Sequence, residues 1–152
     1  MAAERRWNFF TDLGLLAIRG MVGWVMFFHG AQKLWGWFTE TGEPGLEGFK
    51  GFLTKLEIPY PELNAYMAGG TEFFGGCLLM AGLMTRLVSI PVAITMGVAA
   101  FVAHSGTFSN QAGGMEYALT LMVVTIGILL TGPGRLSLDA LLFRRKKRPT
   151  AD

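Results

Sequence analysis

The chain has 152 residues, of which 51% are hydrophobic and only 16% charged, with a mean hydropathy of +0.41. That composition points to a membrane protein, in which four spans would occupy most of the chain and leave no room for a separate soluble domain. A formal net charge of +2 says little by itself, and the lone cysteine, Cys77, excludes an internal disulfide and a CxxC redox pair.

Arg5-Arg6 precedes an apolar run. The run is too long for a secretory signal and carries Arg19, His29 and Lys33 with no small-residue cleavage site, so the pair reads as a cytoplasmic anchor. A spanning helix needs about 20 mainly apolar residues. Four segments approach that length, at about 13–38, 63–84, 87–104 and 115–131. The expectation is an all-α membrane protein: one domain over 1–152, built as a four-transmembrane-helix bundle. Threading it puts Arg5, Arg6, Arg86, Arg135 and the run Arg144, Arg145, Lys146, Lys147, Arg148 on one side. The other side holds Lys50 and Lys55 among Glu40, Glu43, Glu47, Glu57 and Glu62. By the positive-inside rule both termini are cytoplasmic, N-in and C-in, in a bacterial inner membrane.

The first span carries Arg19, Gly23, Met26, Gly30 and Lys33 on one stripe, with His29 on its flank. Charges and glycines sharing a face turn that face into the bundle. Trp35, Trp37 and Phe38 form an aromatic belt at the outer interface. In the outer loop, 39–62, the residues Leu46, Phe49, Phe52, Leu53 and Leu56 recur at helical spacing. They predict a short amphipathic helix on the membrane surface or capping the bundle. Ile58-Pro59-Tyr60-Pro61 ends it.

The second span contains one acid, Glu72, with Gly69, Gly75 and Gly76 on the same helical face. A face without bulk lets a neighbouring helix approach and bring a partner to the carboxylate. Pro91 marks a kink or first turn in the third span, whose small residues Ala93, Gly97 and Ala100 lead to His104. Glu116 opens the fourth span and Gly132-Pro133-Gly134 closes it. The tail, 132–152, opens with a short amphipathic helix and ends in the basic run, which reads as a topology determinant and anionic-lipid contact rather than a nucleic-acid site.

In this threading Glu72 lies about 14 Å below Leu63, at 1.5 Å per residue. His29, Lys33, Glu72, His104 and Glu116 then gather in the outer half of the bundle. Each costs about 2.5 kcal/mol or more at a bilayer centre, less near the interface. A polar cavity is expected, with Glu72 and Glu116 paired to Lys33, His29 or His104, serving as a ligand or proton-exchange cluster. The alternative is a charge network that only locks the helices together. Arg19 is expected to pair on the inner side, with Asp139 or with helix-end carbonyls near Gly132; Arg135 belongs to the same inner group. No HxxxH or ExxH spacing suggests a metal, and no phosphate loop or nucleophile triad is evident. An axial haem pair, His29 with His104, is a remote option.

Several motifs together resemble the DoxX family. They are His29-Gly30-x-x-Lys33, Glu72-x-x-Gly75-Gly76, Gly82-Leu83-x-Thr85-Arg86, His104, Glu116 and Gly132-Pro133-Gly134-Arg135-x-Ser137-x-Asp139. The resemblance runs from about Leu13 to Leu142. It implies a small four-helix inner-membrane protein, and related members are subunits of quinone-linked oxidoreductases, including thiosulfate oxidation. Relatives with cysteine pairs act on thiols, a role that Cys77 alone does not support. No self-contained active site is evident, so the expectation is a membrane subunit of, or accessory to, an oxidoreductase complex. No covalently bound cofactor is expected; the ligand would be a quinone, and the partners lipid and another protein or a second copy of the chain. A non-catalytic anchor or assembly subunit is the alternative, and a proton-coupled transporter the third reading.

Overall fold

A computed structural model describes residues 8–39 and 45–143. The anchor at Arg5-Arg6, the acids Glu40 and Glu43, and the basic run 144–148 lie outside the described residues. All regular structure among those described is helical: α1 (Phe9–Trp35), α2 (Gly45–Lys55), α3 (Pro61–Ala81), α4 (Thr85–Val98), α5 (Glu116–Thr131) and α6 (Leu138–Leu142). A π-helical turn, Ala99–Ala103, prolongs α4, and a 3₁₀ turn, Asn110–Ala112, precedes α5.

Each helix starts and stops for a local reason. Asn8 accepts hydrogen bonds from the backbone N–H groups of Phe10 and Thr11, so α1 begins earlier than its apolar run suggests. It ends at Gly36, in the left-handed region at φ 69°. Pro61 supplies the first turn of α3, and Gly82 at φ 68° ends it. Ser137 caps α6 by accepting from the Ala140 N–H.

Two helices are long and apolar enough to cross a membrane, Phe9–Trp35 and Thr85–Ala103. Helix α5 is apolar but has 16 residues. Helix α3 has 21 residues, yet Glu62, Asn64, Glu72 and its glycines dilute its hydropathy. Four spans were expected; among the described residues two qualify by length and hydropathy.

Glycine decides the packing of α1 against α3. A Cβ on Gly76 would overlap the Phe27 backbone nitrogen and lie 2.6 Å from the Gly23 carbonyl oxygen. One on Gly30 would overlap the Phe73 backbone nitrogen, and one on Gly23 would come within 2.8 Å of the Gly76 carbonyl oxygen. The two backbones therefore touch, as small residues allow in membrane helices. Gly75 faces the other way, onto Val92 of α4, and Gly97 faces the Met122 sulfur of α5. The apolar core is Val22, Met26, Leu79, Val88, Val92, Met96, Leu121 and Ile128. The stripe expected to face inward does so: Arg19 and Met26 are each 1% exposed. Meanwhile Phe74, Ile94, Val123 and Leu130 are 58–71% exposed. Burying an arginine and an acid while exposing large apolar side chains is the distribution of a protein solvated by lipid.

Candidate functional site

At the α2 end of the bundle, Lys33 on α1 meets Glu72 on α3. The Nζ atom donates to Oε1 at 2.5 Å and to Oε2 at 2.6 Å, a forked, charge-assisted pair. The glutamate side chain is 1% exposed and the lysine side chain 26%, so any approach to the pair is through the ammonium. Gly69 makes the meeting possible: a Cβ there would press on the Leu34 side chain at 2.8 Å and lie 3.6 Å from Lys33 Cβ. The Lys33 ammonium also sits 4.9 Å from the centroid of Phe49 on α2, a cation–π contact.

The pair forms part of the wall of a cavity of about 360 Å³. Helix α2 covers it with Phe49, Phe52 and Leu53; α3 contributes Asn64, Met67, Ala68 and Thr71; α4 and its π turn contribute Pro91, Ile94, Thr95, Val98, Ala99, Ala103 and His104. Of these, Met67, Ile94 and Val98 are exposed and form a rim on the face between α3 and α4. The cover is tied down by Lys50, which reaches Glu47 at 3.0 Å and Glu62 on α3 at 3.6 Å. Its hydrogen bond to Glu47 holds the Lys50 ammonium above the ordinary lysine range.

Of the five residues expected to cluster, Lys33, Glu72 and His104 line one cavity, while His29 and Glu116 lie apart from it. His29 sits one turn before Lys33, bonded through Nδ1 to the Gln32 amide oxygen at 3.0 Å and edge-on to Tyr117 of α5. Glu116 turns back over its own helix start and accepts the Asn110 N–H at 3.1 Å, holding the α4–α5 loop. Neither becomes a partner of the Lys33–Glu72 pair, because each finds a neighbour within its own chain segment.

The α6 end holds a second polar group. Arg19 donates to the carbonyl oxygens of Leu79 at 3.0 Å, Met80 at 3.4 Å and Leu136 at 2.8 Å. The expected Arg19–Asp139 ion pair is not formed, since the Asp139 carboxylate accepts the N–H groups of Met84 at 2.7 Å and Thr85 at 2.9 Å. It caps α4 instead. Arg19 does use helix-end carbonyls, those of α3; near Gly132 it is Arg86 that donates, to the Leu130 carbonyl at 3.1 Å. Asp12, which the sequence did not single out, accepts the Arg135 backbone N–H at 2.7 Å and fastens α1 to the segment before α6. Phe49 was missed as a site residue because its spacing marks only an apolar helix face.

Gly82 is where this end is most tightly built. A Cβ there would overlap the Arg19 guanidinium and stand 2.7 Å from Ser137 Cβ, besides being at positive φ. Gly82→Ala should lower stability by about 2 kcal/mol or more, from the left-handed backbone alone and then from displacing a buried guanidinium. Gly113→Ala, at φ 76° with open space around it, should cost only the backbone part. Thermal unfolding of the two purified variants makes the comparison; equal losses would mean that Arg19 yields freely.

The DoxX family model matches residues 14–105. The chain belongs to the DoxX family. It is 31% identical over 137 residues to the "Putative oxidoreductase CatD" of Bacillus subtilis, covering 90% of this chain and 92% of that protein. It is also 32% identical over 143 residues to the "Uncharacterized membrane protein Rv3486" of Mycobacterium tuberculosis, 86% of this chain and 82% of the other. A Haemophilus influenzae protein is 29% identical over 149 residues. No solved structure matches. This DoxX protein is thus a membrane protein, and its paired charges lie within the region that defines the family.

Proposed function

We propose that this DoxX protein is an inner-membrane subunit of a quinone-linked oxidoreductase system and that the cavity beside Lys33 and Glu72 receives the quinone headgroup. The observation that carries the reading is a forked ion pair, its carboxylate buried, in the wall of a mostly apolar cavity. A volume of about 360 Å³ lies within the roughly 300–1,000 Å³ typical of small-molecule sites. A quinone ring is planar and apolar with oxygens at its rim. The walls match the ring, and the Lys33 ammonium supplies a donor to an oxygen. The exposed rim of Met67, Ile94 and Val98 gives an isoprenoid tail a way out into lipid. The oxidoreductase named among the relatives fits this reading, and electrons reach the site from a partner protein.

In the same reading all four long helices cross the membrane. Helix α3 lies backbone-to-backbone with α1 over the stretch from Gly23 to Gly30 and so shares its depth. Both termini are cytoplasmic by the positive-inside rule. The cavity then lies in the outer half, beside the ring cluster of Trp35, Trp37 and Phe73, which serves as the interfacial belt.

The test is binding of a short-tailed quinone to the purified protein in lipid nanodiscs. Lys33→Met and Glu72→Gln should each weaken binding about tenfold, the equivalent of about 1.4 kcal/mol. His29→Ala should leave it unchanged, since His29 does not line the cavity. Wild-type binding in both Lys33→Met and Glu72→Gln would sink the reading.

A further inference from the structure

We infer that the cavity selects the reduced, hydroxyl-bearing form of its ring ligand and that His104 is the residue that does the selecting; this rests on the quinone reading above. The polar atoms left free at the cavity decide the preference. Both Glu72 oxygens are occupied by the Lys33 ammonium and the carboxylate is buried, so it offers a ligand no acceptor. Lys33 is a donor only. Helix α2 lines the cavity with Phe49, Phe52 and Leu53 and brings no titratable group. Glu116 of α5 is engaged with the loop. Of the other polar side chains in the wall, Asn64 is held at the start of α3 through its Nδ2 on the Pro59 and Tyr60 carbonyls, and the hydroxyls of Thr71 and Thr95 donate or accept alike and so serve either form; the remaining ionisable side chain at the cavity is His104.

Its protonation pattern follows from its partner. His104 Nδ1 lies 3.1 Å from the Gly113 carbonyl oxygen. A carbonyl can only accept, so Nδ1 carries the hydrogen, and in a neutral ring Nε2 is left as an acceptor. The partner is itself fixed. Gly113 closes the 3₁₀ turn through its N–H to the Asn110 carbonyl at 2.9 Å. Met115 and Glu116 donate to the carbonyls of Thr107 and Phe108 at 3.0 and 2.9 Å, locking the two ends of the loop together. On the other side, the π turn ends with the His104 N–H on the Ala99 carbonyl at 3.0 Å. The one-residue excess of such a turn rotates His104 by roughly 100° from its place in a continuous α-helix. Wide turns of this kind recur at functional sites.

Lys33 can donate to an oxygen in either redox state. Nε2 discriminates: a hydroquinone O–H donates to it, whereas a quinone carbonyl sets lone pair against lone pair. His104 is exposed, which keeps the expected preference near about tenfold and well short of the factors near 10⁴ reached in sealed polar sites.

The experiment measures affinities of decylubiquinol and decylubiquinone for the full chain in phosphatidylcholine nanodiscs, anaerobically, by calorimetry. Wild type should bind the quinol about tenfold more tightly. His104→Phe, which keeps a ring but removes the acceptor, should erase that ratio by weakening the quinol while leaving the quinone within about twofold. His104→Gln, whose amide oxygen can accept, should keep part of the ratio. Equal affinities in wild type, or a preference that survives in His104→Phe, overturn the role of His104 and leave the quinone reading standing. Failure of wild type to bind either form removes that reading, and this inference with it.

Discussion

Lys33→Met should destabilise the protein by about 3 kcal/mol or more, because it leaves Glu72 with no cation and no route to water. Glu72→Gln should cost less, about 1 kcal/mol, since the Lys33 side chain is about a quarter exposed and its ammonium can swing along its alkyl stem toward the cavity mouth. The asymmetry is the informative part. It arises from burial: the acid is sealed among backbones that glycines allow to touch, and the base stands at the cavity wall. The double variant Lys33→Met with Glu72→Leu should regain most of the loss, as replacing a whole buried pair by apolar groups often does. Unfolding of the four proteins in one detergent, followed by tryptophan fluorescence, gives the cycle. If the single variants lose equal stability, the pair is more open to water than its burial indicates. If the double variant is as unstable as Lys33→Met, apolar filling cannot replace the pair, and helix register depends on it.

How much of this was legible in the sequence depends on the kind of feature. Glu72 and Lys33 stand out because each is a charge in an apolar helix with glycines at i±3 or i±4, and such a charge must find a partner inside the bundle. That pairing is present. The inward stripe of Arg19, Gly23, Met26 and Gly30 was legible for the same reason. Helix ends were less so: α1 starts at Phe9 because an Asn8 side chain caps it, and hydropathy windows do not register caps. Pro91 reads as a kink or first-turn residue; it lies inside α4, past the first turn, and lines the cavity.

The gathering of five ionisable groups was too generous, and the reason is angular. Threading gives depth along each helix but not the direction a side chain takes around it. His29 is one helical turn from Lys33 in height, yet it faces Tyr117 of α5, whereas Lys33 faces α3. Glu116 has the right height and is claimed by an N–H six residues earlier. The same limit hid Asp139, read as a counter-ion for Arg19, which spends its two oxygens on the start of α4. In both cases backbone N–H groups take the carboxylate, from six residues away for Glu116 and from another helix start for Asp139.

The close α1–α3 contact leads to the second large effect. Gly76→Val should abolish the native packing of these helices, with a loss of about 3 kcal/mol or more in stability or no folded protein at all. The added Cβ would overlap the Phe27 nitrogen and stand 2.6 Å from the Gly23 carbonyl oxygen and 2.9 Å from Phe27 Cα. These are backbone atoms of a packed helix, so they cannot swing aside as the end of a flexible side chain could. Relief requires α1 and α3 to separate, and separation stretches the Lys33–Glu72 pair that their contact holds together. The control is Gly70→Ala, on the same helix with open space around it, which should raise stability by about 0.5–1 kcal/mol by restricting the unfolded backbone. Circular dichroism and thermal unfolding of both variants decide the matter. The two glycines differ little in sequence terms and should have opposite signs in the measurement. A Gly76→Val protein that unfolds at the wild-type temperature would mean that α1 and α3 have room to part, and that the ion pair, not the glycines, fixes their distance.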